Sequence, residues 1–330
     1  MAEQTSALNI VMGAMTFGAP GTEGARLHTP EDVGAILDVF QKHGHKEIDS
    51  ARTYTSGTSE ELLGKIDLKA RGLKIETKLY PTPKLGITHA PESLRENLQR
   101  SLKALNVPKL DMWYLHGPDR STPYEVTMKA VNDLYKEGLF DRFGISNYMS
   151  WEVAEIVQIC RRNGYIQPTA YQGIYNAIHR GVEKELFPCL RKFGISFYEF
   201  NALGGGFFTG KYVSIDDDVP AGTRFDPSNV QGQNYRKRYW KEPYFNAVAS
   251  VRAVCDAHGL TMAEVALRWI SNHSLMKRES GDSVIIGASS LKHIEQNLLD
   301  LEKGPLPEEV LKALDEAWIS VQPYASNYWH

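Results

Sequence analysis

The sequence is expected to fold as an α/β protein, a closed (β/α)8 barrel. Eight short segments have strand character, and seven of them are closely followed by helical patterning. The units recur at intervals of roughly thirty residues, and short connections in such a series make the strands parallel. A doubly wound sheet is the rival, but no G-x-G-x-x-G fingerprint follows the first strand. The 330 residues exceed the usual size of one domain. Barrels of this kind run that long as one unit, so residues 1–330 are read as a single domain.

The first strand is Leu8-Asn9-Ile10-Val11-Met12-Gly13, which leaves through Gly18, Pro20, Gly21 and Gly24 into a loop. Thr29-Pro30-Glu31-Asp32 then opens a helix: Thr29 suits the N-cap, Pro30 the first turn and the two acids the positive end of the dipole. Val33, Ile36, Leu37 and Phe40 follow at i, i+3, i+4, i+7 and make one apolar face. The second strand ends Glu47-Ile48-Asp49, and residues 59–64 read as a short helix. Residues 73–78 are the third strand, followed by a helix with Leu94, Leu98, Leu102 and Leu105 on one stripe. Residues 110–116 are the fourth, and Thr122-Pro123-Tyr124-Glu125 after it has a capping-box arrangement.

Arg142-Phe143-Gly144-Ile145-Ser146 is the fifth strand, and Val153, Ile156, Val157 and Cys160 mark the next helix face. Thr169-Ala170-Tyr171-Gln172 and Ile195-Ser196-Phe197-Tyr198 are the sixth and seventh, with residues 183–192 helical between them. A long loop then runs from residue 201 to about 243. Helical stretches at 248–258 and 262–272 precede the last strand, Ser283-Val284-Ile285-Ile286. The helix opening at Ser290 is expected to turn Leu291, Ile294 and Leu298 inward. The whole is a TIM barrel with a long loop after strand seven and a C-terminal tail over its mouth.

Composition excludes several function classes. Hydrophobic residues make up 42%, enough for a sizeable core, while no run of 18 apolar residues marks a membrane span. Met1 to Asn9 has no basic region followed by an apolar one, so no secretory leader is expected. The net charge of −3 comes from interspersed charges of both signs. That argues against nucleic acid or another polyanion and for a small-molecule or protein partner. Cys160, Cys189 and Cys255 are widely spaced without C-x-x-C. They read as free thiols in a reducing compartment, with no metal site and a cytoplasmic location.

The functional reading starts at Glu47-Ile48-Asp49-Ser50-Ala51-Arg52-Thr53-Tyr54. Asp49 closes a strand and Tyr54 follows five residues later, so both can face one pocket if the strand ends at its mouth. Alone, an Asp at a strand end is more often a turn cap. Two later strand ends change the odds: Lys78 closes the third strand and His116 the fourth. Active groups of a barrel gather at the C-terminal ends of its strands, so these four residues mark one site. A lysine beside a tyrosine in a partly desolvated pocket is expected to lower the phenol's pKa. The Asp would hold the ammonium, and the His would donate to a substrate oxygen. Such a set suits protonation of a carbonyl oxygen by Tyr54 as hydride reaches the carbon. No side chain supplies hydride, so a reduced cofactor is required.

These residues carry a resemblance. Asp49-x4-Tyr54, Lys78, and His116 within Tyr114-Leu115-His116-Gly117-Pro118-Asp119 resemble the Asp/Tyr/Lys/His tetrad of the aldo-keto reductases. The likeness runs through most of the chain. Gly144-Ile145-Ser146-Asn147, Tyr171-Gln172 and Ser289-Ser290-x5-Gln296-Asn297 resemble that superfamily's nicotinamide and adenine-ribose contacts. Asn201-Ala202-Leu203-Gly204-Gly205-Gly206-Phe207-Phe208-Thr209-Gly210-Lys211-Tyr212 resembles its pyrophosphate loop. With Arg224-Phe225 and Tyr235-Arg236-Lys237-Arg238-Tyr239-Trp240-Lys241-Glu242 behind it, the segment is most similar to the aflatoxin-aldehyde reductase subfamily. Gly205-x4-Gly210-Lys211 also matches most of a Walker A motif, but Tyr212 replaces the Ser or Thr that would hold Mg²⁺.

The resemblance implies NADPH as cofactor. Ser146, Asn147 and Gln172 would hold the carboxamide, and Phe200 would stack on nicotinamide where the family more often has Tyr. Asn201, Leu203, Gly205 and Lys211 fall on the pyrophosphate loop, and Ser289, Ser290, His293, Gln296 and Asn297 at the adenosine end. His293 stands where many members place an Arg on the 2′-phosphate, so NADPH over NADH rests on family habit plus Lys211, Ser289 and Ser290.

A small carbonyl compound is the implied substrate, and a homodimer is a subfamily expectation. Related reductases that accept short acidic aldehydes have an Arg in the loop after strand seven and another near the C-terminus. Arg224 takes the first position and His330 replaces the second. Phe225, Tyr239, Trp240, Tyr328 and Trp329 would supply an aromatic wall, favouring uncharged aromatic substrates over succinic semialdehyde. Two readings compete. A cofactor-sensing regulatory subunit of the potassium-channel beta type shares the barrel and much of the tetrad; few residues precede the first strand here, which favours the enzyme. A metal-dependent hydrolase needs a His/Asp ligand cluster, and Lys78 between Asp49 and His116 would repel a cation.

Overall fold

The computed structural model describes residues 5–330. The leader-free expectation for Met1 to Asn9 therefore lies partly outside the described residues. Eight strands follow one another around a closed barrel: β1 (Asn9–Gly13), β2 (Glu47–Asp49), β3 (Lys74–Leu79), β4 (Leu110–Leu115), β5 (Phe140–Ser146), β6 (Ala170–Ile174), β7 (Ser196–Phe200) and β8 (Ser283–Gly287). Each pairs in parallel with the next, and β8 closes on β1 through the register Val11 to Ile285. All eight strands expected from the sequence are present, each within a few residues of its expected bounds.

The helices are α1 (Pro30–Lys42), α2 (Thr58–Leu63), α3 (Pro91–Leu105), α4 (Tyr124–Lys136), α5 (Ser150–Asn163), α6 (Leu186–Phe193), α7 (Val230–Tyr239), α8 (Glu242–Ala257), α9 (Met262–Asn272), α10 (Leu291–Leu301) and α11 (Glu308–Val321). In α1 the Thr29 hydroxyl accepts from the Asp32 amide at 3.1 Å, and Val33, Ile36, Leu37 and Phe40 are fully buried against the strands. One large apolar layer lies between strands and helices. A second cluster, Val11, Met112, Tyr114, Ala170, Tyr198 and Ile285, fills the barrel. That separation follows from the period of two in a strand, which sends alternate side chains to opposite faces.

Several helix expectations need correction. No side chain caps α4; Thr122 donates its hydroxyl to Asp119 at 2.8 Å instead of capping the helix. Helix α6 begins at Leu186 rather than 183, because Glu183 is held outside it by the Tyr175 hydroxyl at 2.6 Å. Leu291 is exposed, and the inner face of α10 is Ile294, Leu298 and Leu301. The long loop contains α7, whose ten residues bury only Gly232, Tyr235 and Tyr239, too sparse an apolar pattern to be legible. Helix α11 has no counterpart in the elements expected above.

The chain after α11 crosses the C-terminal mouth of the barrel. Ser326 pairs with His179 Nε2 at 3.1 Å, and the Tyr328 hydroxyl accepts from the Ser150 amide at 3.1 Å and donates to Glu185. The His330 amide donates to the Asn147 carbonyl at 3.1 Å. No helix among the described residues is long and apolar enough to cross a membrane.

Candidate active site

Three strand ends deliver the central groups. Asp49 is the last residue of β2, Lys78 the penultimate residue of β3, and His116 follows β4. Lys78 is fully buried, and its Nζ donates to Asp49 Oδ1 and Oδ2 at 2.6 Å and to the Ser50 carbonyl at 2.7 Å. Three donors meet three acceptor atoms, the condition under which a buried ammonium is tolerated. Gln172 on β6 fixes the carboxylate from the other side, donating Nε2 to Asp49 Oδ1 at 2.8 Å. Tyr54 comes from the loop after β2, just before Thr55 and Ser56 turn left-handed at φ 46° and 56°. Its half-buried ring has Lys78 Nζ 4.8 Å from the centroid and His116 edge-on at 6.0 Å.

The electrostatics differ from the expectation in one respect. The Tyr54 phenol lies well above its ordinary pKa, first because of burial and then because Asp49 faces it. The Lys78 ammonium does not bring it below that value, because it directs its bonds to Asp49 and Ser50 and meets the face of the ring. Burial also pushes Lys78 below its ordinary value, with Asp49 opposing. His116 is driven well below the usual imidazole range by burial, then by Lys78 and His330. It is neutral in the physiological range, with one ring nitrogen a donor and the other an acceptor. Its Nδ1 is buried without a partner among the described residues, while Asn147 Nδ2 holds its backbone carbonyl at 2.8 Å.

Around this centre the remaining expected residues separate into two sets. Ser146 and Asn147 are buried at the end of β5, joined by Asn147 Nδ2 to Ser146 Oγ at 3.0 Å. Phe200 is half-buried at the end of β7. Asn201 follows at φ 82°, its Nδ2 donating to the Tyr239 hydroxyl at 3.0 Å and its Oδ1 buried without a partner among the described residues. Leu203 is half-buried beside Gly204, Gly205 and Gly206, which turn left-handed at φ 59°, 68° and 98°. A side chain on Gly205 would collide with the Tyr235 ring, whereas nothing stands within 4 Å of a Cβ placed on Gly206. The Gly204 and Gly206 amides close this turn on the Asn201 and Leu203 carbonyls at 2.8 and 2.9 Å, its lack of side chains suits the close approach of a diphosphate, and Asn201 leaves an acceptor for an amide nearby.

The second set lies further out. Lys211 is exposed, its Nζ 5.4 Å from the Tyr212 ring centroid, and no α-helix opens on that loop until Val230. Ser290 caps α10 by accepting from the His293 amide, and Ser289 pairs with His293 Nδ1 at 2.8 Å. Gln296 turns along the helix to Asp300 at 3.0 Å, and Asn297 is buried.

For the substrate side, Arg224 stands at the mouth with Nη1 donating to the Tyr235 hydroxyl at 3.0 Å. The aromatic wall is mostly absent. Trp240 packs against Tyr212, Phe225 and Phe245 at 5.0–5.4 Å with its Nε1 on the Ile215 carbonyl, so its ring holds the long loop together. Phe225, Tyr239 and Tyr328 are likewise buried in packing. Trp329 is half-buried, and His330 reaches the mouth, its Nδ1 3.2 Å from the Tyr80 hydroxyl. Tyr80, edge-on to His116 at 5.6 Å, is the wall residue that the sequence reading lacks. It lies two residues beyond Lys78, the spacing that returns a strand to the same face, and that was the available signal.

Among the described residues no group of three His, Cys, Asp or Glu is arranged to hold a metal. The model of the Aldo/keto reductase family matches residues 9–319. The chain belongs to the aldo-keto reductase family. Aldo-keto reductase pigE of Monascus ruber is 44% identical over 97% of both chains. Human aldo-keto reductase family 7 member A3 is 45% identical over 97% of this chain and 96% of its own. Human aflatoxin B1 aldehyde reductase member 2 is 45% identical over 97% and 89%. The protein is thus an oxidoreductase of this family, which acts on small carbonyl compounds with a nicotinamide cofactor.

Proposed function

We propose that this aldo-keto reductase reduces an aldehyde or ketone to the alcohol with NADPH, Tyr54 acting as general acid. The carrying observation is the buried Lys78–Asp49 pair against the face of Tyr54, with neutral His116 at its edge. When bound, the reduced nicotinamide supplies hydride to the carbonyl carbon. Tyr54 keeps its proton through neutral pH, because its phenol lies well above the ordinary value. It gives that proton up only to an oxygen gaining negative charge, and the Lys78 ammonium then offsets the phenolate. Asp49 and Ser50 keep the ammonium in place, and Gln172 keeps Asp49 in place. His116 directs an N–H at the same carbonyl oxygen.

Ser146, Asn147, Gln172 and Phe200 would hold the nicotinamide end. Asn201, Leu203, Gly205 and Lys211 would meet the diphosphate, and Ser289, Ser290, His293, Gln296 and Asn297 the adenosine phosphate end. An aldehyde substrate is supported by a relative named as an aflatoxin B1 aldehyde reductase. Replacing Tyr54 by Phe tests the assignment. The Tyr54→Phe variant is expected to lose at least ~10²-fold in kcat, the usual contribution of a general acid. NADPH affinity, read by quenching of protein fluorescence, should hardly change. Near-normal turnover by Tyr54→Phe would mean that another group is the acid.

A further inference from the structure

The barrel interior carries charge where layers of branched apolar side chains are the rule. Glu76 lies two residues before Lys78 on the inner face of β3, in register with Asp49 on β2, and it is fully buried. Tyr114 donates its hydroxyl to Glu76 Oε2 at 3.2 Å, and Arg142 donates Nη2 to Oε1 at 3.1 Å. Tyr114 takes this position because Gly144, its partner on β5, has no side chain; a Cβ there would collide with the tyrosine ring. Arg142 also donates Nη1 to Tyr198 at 3.1 Å and Nη2 to Glu47 at 3.4 Å, and Tyr198 donates to Glu47 at 3.2 Å. Lys74, half exposed, lies 3.6 Å from Glu47. A polar column therefore rises through the barrel to the underside of the site. The Tyr114 ring, 5.9 Å from Lys78 Nζ, separates its top from the ammonium.

Buried ionic networks cost stability unless every charge is matched, and Arg142 stands between two carboxyls. We propose that Glu76 is a positioning residue for the reduction: clamped by Tyr114 and Arg142 beneath the site, its carboxyl, once ionised on the alkaline side, keeps the Lys78 ammonium charged, so that Lys78 can offset the Tyr54 phenolate. The proposal rests on Tyr54 as the acid. Glu76 is faced by Glu47 and Asp49 from β2, Lys74 and Lys78 from its own strand, Tyr114 from β4, Arg142 from β5 and Tyr198 from β7. Burial, then Glu47, holds Glu76 well above the ordinary carboxylate range despite Arg142. Of the groups that hold Lys78 up against burial, Asp49 comes first and Glu76 next. The carboxyl is thus raised and the ammonium lowered, so their titrations move toward one another, and Glu76 gains its negative charge on the alkaline side. The two titrate as one coupled system.

The test is the pH profile of kcat for aldehyde reduction at saturating NADPH, with Tm measured in parallel. Glu76→Gln is expected to move the alkaline fall of kcat to lower pH by about one to two units, the scale of one charge two residues along a strand, roughly 7 Å away. Tyr114→Phe keeps the ring and removes the hydroxyl clamp, and a smaller shift in the same direction is expected. Should Glu76→Gln fail to fold, Tyr114→Phe decides the matter. A profile that superimposes on the wild type would overturn the proposal. So would a fall in kcat that is uniform across pH and accompanies a lower Tm, which marks a purely structural role. Normal turnover by Tyr54→Phe would instead sink the assignment of the acid.

Discussion

Lys78 directs its donors to Asp49 and Ser50, which leaves Tyr54 a cation against its ring rather than at its hydroxyl. One residue therefore decides the protonation chemistry of the site. A different buried acid has no such companion. Glu199 on β7 is fully buried, and neither carboxyl oxygen has a hydrogen-bond partner among the described residues. Burial raises its pKa well above the ordinary carboxylate value. The folded state keeps a proton that the unfolded chain loses above about pH 4.3, so folding stability falls as pH rises from there toward the folded value. The slope is at most about 1.4 kcal/mol per pH unit. Glu199→Gln removes that dependence: its Tm relative to wild type should rise as the pH is raised from about 5. A difference that stays constant with pH would show that Glu199 is not the group responsible.

At the scale of elements, the glycine turn and α7 form one device. The Tyr235 ring occupies the space beside Gly205, and its hydroxyl holds Arg224. Gly205 also sits at φ 68°, where a side chain is strained. Gly205→Ala is therefore expected to displace Tyr235 and to weaken NADPH binding by about tenfold or more, given roughly 1–2 kcal/mol for a non-glycine residue held left-handed. Titration of protein fluorescence with NADPH measures this directly. Unchanged affinity would place the cofactor's diphosphate away from this turn. The loop is read as a phosphate-binding segment from its resemblance to the family's pyrophosphate loop, with three consecutive glycines. Helix α7 was not legible, since it is polar on most sides and is held by two buried tyrosines.

For the whole molecule, the C-terminal tail ties separate parts of the mouth together. It is anchored on His179, Ser150 and Glu185, and its last residue reaches the Asn147 carbonyl and Tyr80. His330 thus stands across the mouth beside the same residues that line the reaction centre. Burial, then Arg238 and Arg120, lowers its pKa, so it is largely uncharged at pH 7.5. An always-charged guanidinium would grip a carboxylate with two parallel bonds. His330→Arg is expected to raise kcat/KM for succinic semialdehyde by roughly tenfold or more, on the scale of one charged hydrogen bond. An uncharged aromatic aldehyde should be affected far less. Equal changes for both substrates would show that the tail does not read the carboxylate.

The sequence alone determined the barrel, because βα periodicity and short connections are local properties that leave few topologies. It also determined Asp49, Tyr54, Lys78 and His116 as one group, because strand ends of a barrel converge wherever their chemistry lies in the chain. Tertiary structure decided what periodicity cannot encode. It turned Trp240, Phe225 and Tyr239 from a substrate wall into loop packing, since contacts among side chains far apart in sequence choose which aromatics are buried. It brought Tyr80 to His116 and His330. It placed Arg142 beneath the site on Glu76, where no motif marks it. It also set the Tyr54 phenol above rather than below its ordinary value, because burial and the direction of the Lys78 donors are three-dimensional facts.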